Sequence, residues 1–143
     1  MTFVRDEGSV YNAPLEEVWR FLSDREAHES VHHHREVEHK PLGENSGESV
    51  WVQDFEGKAE RFRMRYTAFP MFGIAYEVQE GPLLGSKFFA YYRPRGPKTR
   101  VTVVGDFQSP TIPAARLEPV VLAFFALEFE QDNAAISARV APK

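Results

Sequence analysis

Glu128 and Asp132 stand four residues apart in an otherwise apolar segment. On a helix that spacing projects both carboxylates from one side, beside Phe124, Phe125, Phe129 and Ile136. In an apolar surrounding, desolvation and mutual repulsion would each raise a carboxyl pKa and prepare a proton donor or acceptor near neutral pH. Enolisation and loss of water need such a pair, which makes Glu128 and Asp132 the candidate catalytic residues. The structural alternative is an ion pair to Arg20, Arg25 or Arg139, or simple exposure at the helix edge. Gln131 lies on the same arc, and burying any of these groups without a partner is unfavourable.

All five histidines, His28, His32, His33, His34 and His39, fall in one short stretch. Imidazole is a good ligand for zinc, iron, nickel and copper. His28 and His32 would share a helix face if a helix ran through both, and His32 and His34 a strand face if it did not; Asp132 would then be the carboxylate available to join them. The expectation is nevertheless of solvated loop histidines, with no metal and no cofactor.

A third group of residues suits recognition rather than reaction. Trp51, Phe62, Met64, Phe88, Phe124 and Phe125 offer apolar walls, and the hydroxyls of Tyr66, Tyr76, Tyr91 and Tyr92 offer hydrogen bonds. Such a mixture of aromatic surface and a few polar groups characterises small-molecule pockets. The ligand-binding candidates are therefore Trp51, Phe62, Met64, Tyr66, Tyr76, Phe88, Phe124, Phe125 and Gln131. No Gly-x-Ser-x-Gly elbow, phosphate loop or dinucleotide fingerprint occurs, which disfavours hydrolase, nucleotide-phosphate and nicotinamide chemistry.

These residues must be positioned by the elements around them. Leu117 to Val140 reads as one long helix, apolar around nearly half its circumference. One stripe holds Leu117, Val120, Val121, Phe124 and Leu127, and an adjoining one Leu122, Phe125, Phe129, Ile136 and Val140. A helix of that kind needs neighbours on two sides. Thr2 to Tyr11 gives a first strand. Asn12-Ala13-Pro14 then combines a cap with a helix-starting proline, and Leu15, Val18, Trp19 and Leu22 recur at helical spacing. Ser23-Asp24 ends that short helix and caps another over Arg25 to Ser30.

From His33 onward, short runs rich in β-branched and aromatic residues alternate with glycine and proline turns. The predicted strands are His34 to Pro41, Glu48 to Phe55, Ala59 to Phe69, Ile74 to Gln79, Lys87 to Arg93 and Arg100 to Phe107. Ala59 to Phe69 is the clearest, with Phe62, Met64, Tyr66 and Ala68 on one face and Arg61, Arg63, Arg65 and Thr67 on a solvated other. In the last strand, Gly105 marks a place for a sharp bend or a close approach. The order predicts an α+β domain of residues 1–143: a curved antiparallel sheet of about seven strands wrapped around the terminal helix, with two short helices after the first strand supporting the helix's far end.

At 143 residues the chain suits one domain. It contains no cysteine, which excludes disulfides, a thiolate nucleophile and cysteine-ligated metal centres. Met1 to Asp6 lacks the basic region and apolar core of a signal peptide, and no apolar run reaches the length of a bilayer span. A cytoplasmic location is expected. The net charge of −4, with basic residues scattered among acids, gives no nucleic-acid footprint.

This element order, with the opening Asn12-Ala13-Pro14-Leu15-Glu16-Glu17-Val18-Trp19-Arg20-Phe21-Leu22, resembles the START-like or Bet v 1-like (SRPBCC) superfamily, in particular its polyketide cyclase/dehydrase and lipid-transport branch. The resemblance covers essentially the whole chain. It implies a helix-grip fold enclosing a hydrophobic cavity, and hence binding of a small hydrophobic or amphipathic molecule such as a lipid, polyketide or aromatic metabolite. Relatives include carriers, receptors, cyclases and the catalytic domains of iron oxygenases, and no spacing here matches the oxygenase iron motif residue by residue. Beside ligand binding, two alternatives stand: a cyclase or dehydratase using Glu128 and Asp132, and a structural or interaction module with a filled core. The expected partner is the small ligand, with no nucleic acid and no integral membrane span; a homodimer stays open.

Overall fold

A computed structural model describes residues 2–140. The chain begins with β1 (Thr2–Tyr11), then α1 (Leu15–Ser23) and α2 (Arg25–Val31). Six further strands follow: β2 (Arg35–Gly43), β3 (Ser46–Phe55), β4 (Lys58–Phe69), β5 (Gly73–Glu80), β6 (Lys87–Arg95) and β7 (Lys98–Phe107). The long helix α3 (Ala114–Val140) closes the order. All seven strands form one antiparallel sheet in the order β1-β7-β6-β5-β4-β3-β2, so the meander is closed by β1 returning to pair with β7. The sheet curves around α3, a helix-grip fold.

Period-two burial places the core on one face. Along β4, Phe62 and Met64 are buried and Tyr66 and Ala68 half-buried, while Arg61, Arg65 and Thr67 are exposed. The outer arginines pair across strands with Glu48 and Glu80, the solvated face that the alternation implies. Val101, Val103 and Phe107 of β7 are buried on the same inner side. A side chain at Gly105 would place its Cβ 2.5 Å from the Lys87 carbonyl oxygen and 2.5 Å from Phe88 Cβ. The absent Cβ is what lets β6 and β7 approach there.

The orientation of α3 differs from the sequence reading. The helix begins one turn early, at Ala114, so Pro119 falls beyond its first turn and removes one backbone donor on its exposed side. Its buried line runs Leu117, Val121, Phe125, Phe129, Asp132 and Ile136, drawing from both predicted stripes. Leu127, expected inside, is 53% exposed. Apolar residues spread over so wide an arc do not select one axis; the sheet does. The first cap also differs: Pro14 precedes α1 without a side-chain cap, and the Asn12 backbone N–H donates instead to Asn133 Oδ1 on α3 at 2.9 Å. Asp24 does cap α2, accepting from the Ala27 N–H at 3.2 Å. That cap matters because α2 carries His28 and ends immediately before His32.

Candidate functional site

A cavity of about 300 Å³ lies between the inner face of the sheet, α2 and α3. Its walls include Trp51, Met64, Tyr66, Tyr76, Phe88, Phe124 and Phe125, seven of the nine expected ligand-binding residues, together with Glu128 and Asp132. It reaches solvent past Arg25, Glu44 and Asn45, which are exposed. The other two candidates sit elsewhere. Phe62 is fully buried behind the wall, stacked between Trp51 and Phe124, and Gln131 stands behind His32, accepting from its Nδ1 at 2.7 Å.

One end of the cavity is aromatic. The rings of His34, Trp51, Phe62 and Phe124 form a continuous stack, with centroids 4.6, 5.5 and 6.3 Å apart in turn. Phe125 adds edge contacts to Phe88, Phe107 and Phe124. Edge and offset contacts of this kind add to the area term of burial and hold the rings in place.

Next to this stack the lining turns polar. His32, just past α2, is 7% exposed and lies between two carboxylates of α3: Nδ1 stands 2.9 Å from Glu128 Oε2, and Nε2 stands 2.8 Å from Asp132 Oδ1. His28, one helical turn earlier, brings its Nε2 to 3.1 Å from the same Asp132 Oδ1. Tyr11 donates its hydroxyl to Asp132 Oδ2 at 3.2 Å, and Gln53 Nε2 reaches Glu128 Oε1 at 3.5 Å. The His28 and His32 nitrogens approach Oδ1 off the hydrogen-bond direction, so this buried oxygen has no aligned donor. One ligand-capable atom each from His28, His32 and Asp132 lies within 4.8 Å of the others.

Burial by itself would raise the Asp132 carboxyl, but the His28 charge and the contacts from His28 and His32 outweigh it and hold the group well below the usual carboxylate range. This reverses the expected direction. The sequence reading set two carboxylates against each other, whereas the fold inserts the His32 imidazole between them. Burial would likewise depress His32, yet contact with Asp132 and Glu128 lifts it to about 10. His34, with neither ring nitrogen in an aligned hydrogen bond, is pushed down to about 3 by burial and by neighbouring His32 and His28. Burial pushes the Tyr11, Tyr76 and Tyr92 hydroxyls up, with Asp132 adding to each.

The arginines proposed as partners for the acids are engaged elsewhere: Arg20 with Glu17, Arg25 with Glu29 at 3.6 Å, and Arg139 over the Phe21 ring. Solvated loop histidines describe only His33, which is exposed at φ 55° and turns the chain so that His32 and His34 both face inward. His39 lies on the sheet and meets the Tyr66 hydroxyl at 2.7 Å. Tyr11 went unrecognised in the sequence. It sits at the end of a strand 121 residues before Asp132, and no local pattern links the two.

No protein-family model matches this sequence, and no curated protein matches it in sequence. Solved structures do match in shape. The protein TTHA0849 from Thermus thermophilus aligns over 98% of this chain and 100% of its own, with 19% identity and a TM-score of 0.81. The ZhuI aromatase/cyclase from a Streptomyces species aligns over 96% and 93%, with 18% identity and a TM-score of 0.73. The protein Ara h 8.0201 aligns over 96% and 98%, with 13% identity and a TM-score of 0.75. At these identities the likeness is one of fold, and the fold is the helix grip of START-like and Bet v 1-like proteins. Among the described residues, no helix is long and apolar enough to cross a membrane.

Proposed function

We propose that this chain binds a small hydrophobic or amphipathic molecule, in the class of lipids, polyketides and aromatic metabolites, between its sheet and α3. The observation that carries the reading is an aromatic-walled cavity of about 300 Å³ whose lining also holds the cluster of His32, Glu128 and Asp132. That size is at the lower end of the range for small-molecule sites and favours a flat occupant of one or two rings over a long acyl chain. Burying roughly 200 Å² of apolar ligand surface would supply about 5 kcal/mol before the costs of association. His32, Glu128 and Asp132 would orient the polar end. A cavity of this kind counts against the filled-core alternative.

Native mass spectrometry of the freshly purified chain tests the reading by looking for a co-purified molecule in the expected size range. Binding of an environment-sensitive naphthalene probe gives a second measure. Ala68→Trp, which places an indole at the half-buried cavity rim, should abolish probe binding, while Arg63→Ala on the outer face should not. Equal binding by both variants would overturn the assignment.

Acid–base cyclase or dehydratase activity draws on the same cluster and on the fold shared with aromatase/cyclases. The low Asp132 carboxyl makes that residue a weak base while His32 is cationic. Such an enzyme would use His32 as donor and Glu128 as its partner. Turnover of an enolisable polyketone that survives Glu128→Gln and Asp132→Asn would remove this mechanism.

A further inference from the structure

We infer that His28 Nε2, His32 Nε2 and Asp132 Oδ1 form a three-ligand site for a divalent first-row transition ion, set in the wall of the cavity. The argument begins with direction. A hydrogen bond requires the ring N–H to point at the oxygen, whereas two ligands of one ion each point at a shared position beside the other. Both imidazole nitrogens lie within 3.1 Å of Oδ1, yet that oxygen, on a residue 5% exposed, receives no aligned donor. Two ligands each about 2.1 Å from an ion and at right angles stand about 3.0 Å apart. The observed separations of 3.1 and 2.8 Å match two edges of such a polyhedron, and the three ligand atoms lie within 4.8 Å of one another.

The surroundings supply what ligating side chains ordinarily need. A metal-bound imidazole is usually held by a hydrogen bond from its other nitrogen, which selects the tautomer and aims the ring. His32 Nδ1 has Gln131 Oε1 at 2.7 Å and Glu128 Oε2 at 2.9 Å, leaving Nε2 to ligate. The non-ligating oxygen of Asp132 accepts from Tyr11 at 3.2 Å. Gln131 and Tyr11, which do not line the cavity, thereby acquire a role as positioning residues.

Two imidazoles and one carboxylate suit borderline ions such as Zn²⁺, Co²⁺, Ni²⁺ and Fe²⁺ rather than Ca²⁺ or Mg²⁺. Three protein ligands leave coordination positions open, and all three line the cavity. The site needs no organic occupant, so its failure leaves the cavity reading standing, and the converse holds.

The test uses the full chain, stripped with chelator and titrated with Co²⁺ and with Zn²⁺. One Co²⁺ per chain should bind with ligand-field absorption and be displaced by Zn²⁺. His28→Ala, at a half-buried position, should weaken binding more than about 100-fold, and Glu128→Gln roughly 10- to 100-fold. In the unaltered protein, Zn²⁺ should shift the ring resonances of His28 and His32 while those of His33 and His39 stay in place. This last measurement needs no variant to fold. Absence of saturable binding at one ion per chain, Zn²⁺-induced shifts confined to His33 or His39, or unchanged affinity in folded His28→Ala would overturn the inference.

Discussion

The two ends of the cavity are built on opposite terms. At the aromatic end, Phe62, Phe88, Phe124 and Phe125 meet ring to ring, and His34 is the titratable ring in the stack that they continue. At the polar end, His32 stands between Glu128 and Asp132, with His28 and Tyr11 closing on the same aspartate. Apolar burial is favourable at any pH, while buried charge is tolerated only as long as its partners match it. The phenylalanines therefore anchor the fold, and the histidines and carboxylates beside them are where a proton, an ion or a ligand can change the balance.

Deleting the central carboxylate should separate the ends most sharply. Asp132→Ala leaves the charge on His32 poorly matched and the Tyr11 hydroxyl without its acceptor, and should lower the unfolding free energy by about 3–5 kcal/mol at neutral pH. A urea titration showing a loss below about 1 kcal/mol would mean the cluster is not a buried ionic unit. Phe125→Ala at the other end should cost about 3 kcal/mol through the space it opens. Its cost should be the same in mildly acidic and mildly alkaline buffer, whereas that of Asp132→Ala should change with pH.

His32 and His34 sharpen the contrast, because their rings lie 5.6 Å apart and shift in opposite directions. His32, lifted from 6.5 to about 10, contributes stability that is complete below 6.5 and lost as pH rises toward 10. His34, lowered from 6.5 to about 3, is compatible with the fold above 6.5 and opposes it increasingly as pH falls toward 3. The groups facing the pair are His28, Glu128, Asp132 and the amide of Gln53. In chelator-treated protein the urea midpoint should peak near neutrality, with the acid arm falling on the order of 1–2 kcal/mol by about pH 5. His34→Phe, which keeps a ring on Trp51, should flatten the acid arm, and His32→Gln the alkaline arm. A profile rising steadily in one direction would contradict both assignments.

Asp24→Ala should cost about 1 kcal/mol by removing the cap of α2. It should weaken Co²⁺ binding less than His28→Ala, since it loosens the helix that carries a ligand without removing the ligand. Arg63→Ala, outside both ends, should leave probe and metal binding unchanged; a change in either would place the outer sheet face within the site.

Much of the scaffold was legible because it rests on local signals. The period-two pattern of Phe62, Met64 and Tyr66 against Arg61, Arg63 and Arg65 identified β4 and its core face, and Asp24 announced α2 through its cap. The facing of α3 was not legible, since Leu127 and Phe125 are equally apolar and only the position of the sheet excludes one of them. Part of the lining was anticipated from residue type. Phe62 and Gln131 show the limit, because a side chain suited to a wall can equally stand one layer behind it.

Composition and periodicity by themselves determined the strand meander, the terminal helix and the presence of acids on its apolar arc, because each is set by residues within a few positions of one another. Only the tertiary structure decided what those acids meet. His32 and Gln131 are 99 residues apart and Tyr11 and Asp132 121 apart, and such contacts form only when the curved sheet and α2 close on α3. The electrostatics followed from that closure: two carboxylates expected to repel are instead joined through imidazole, which holds Asp132 ionised where repulsion would have protonated it.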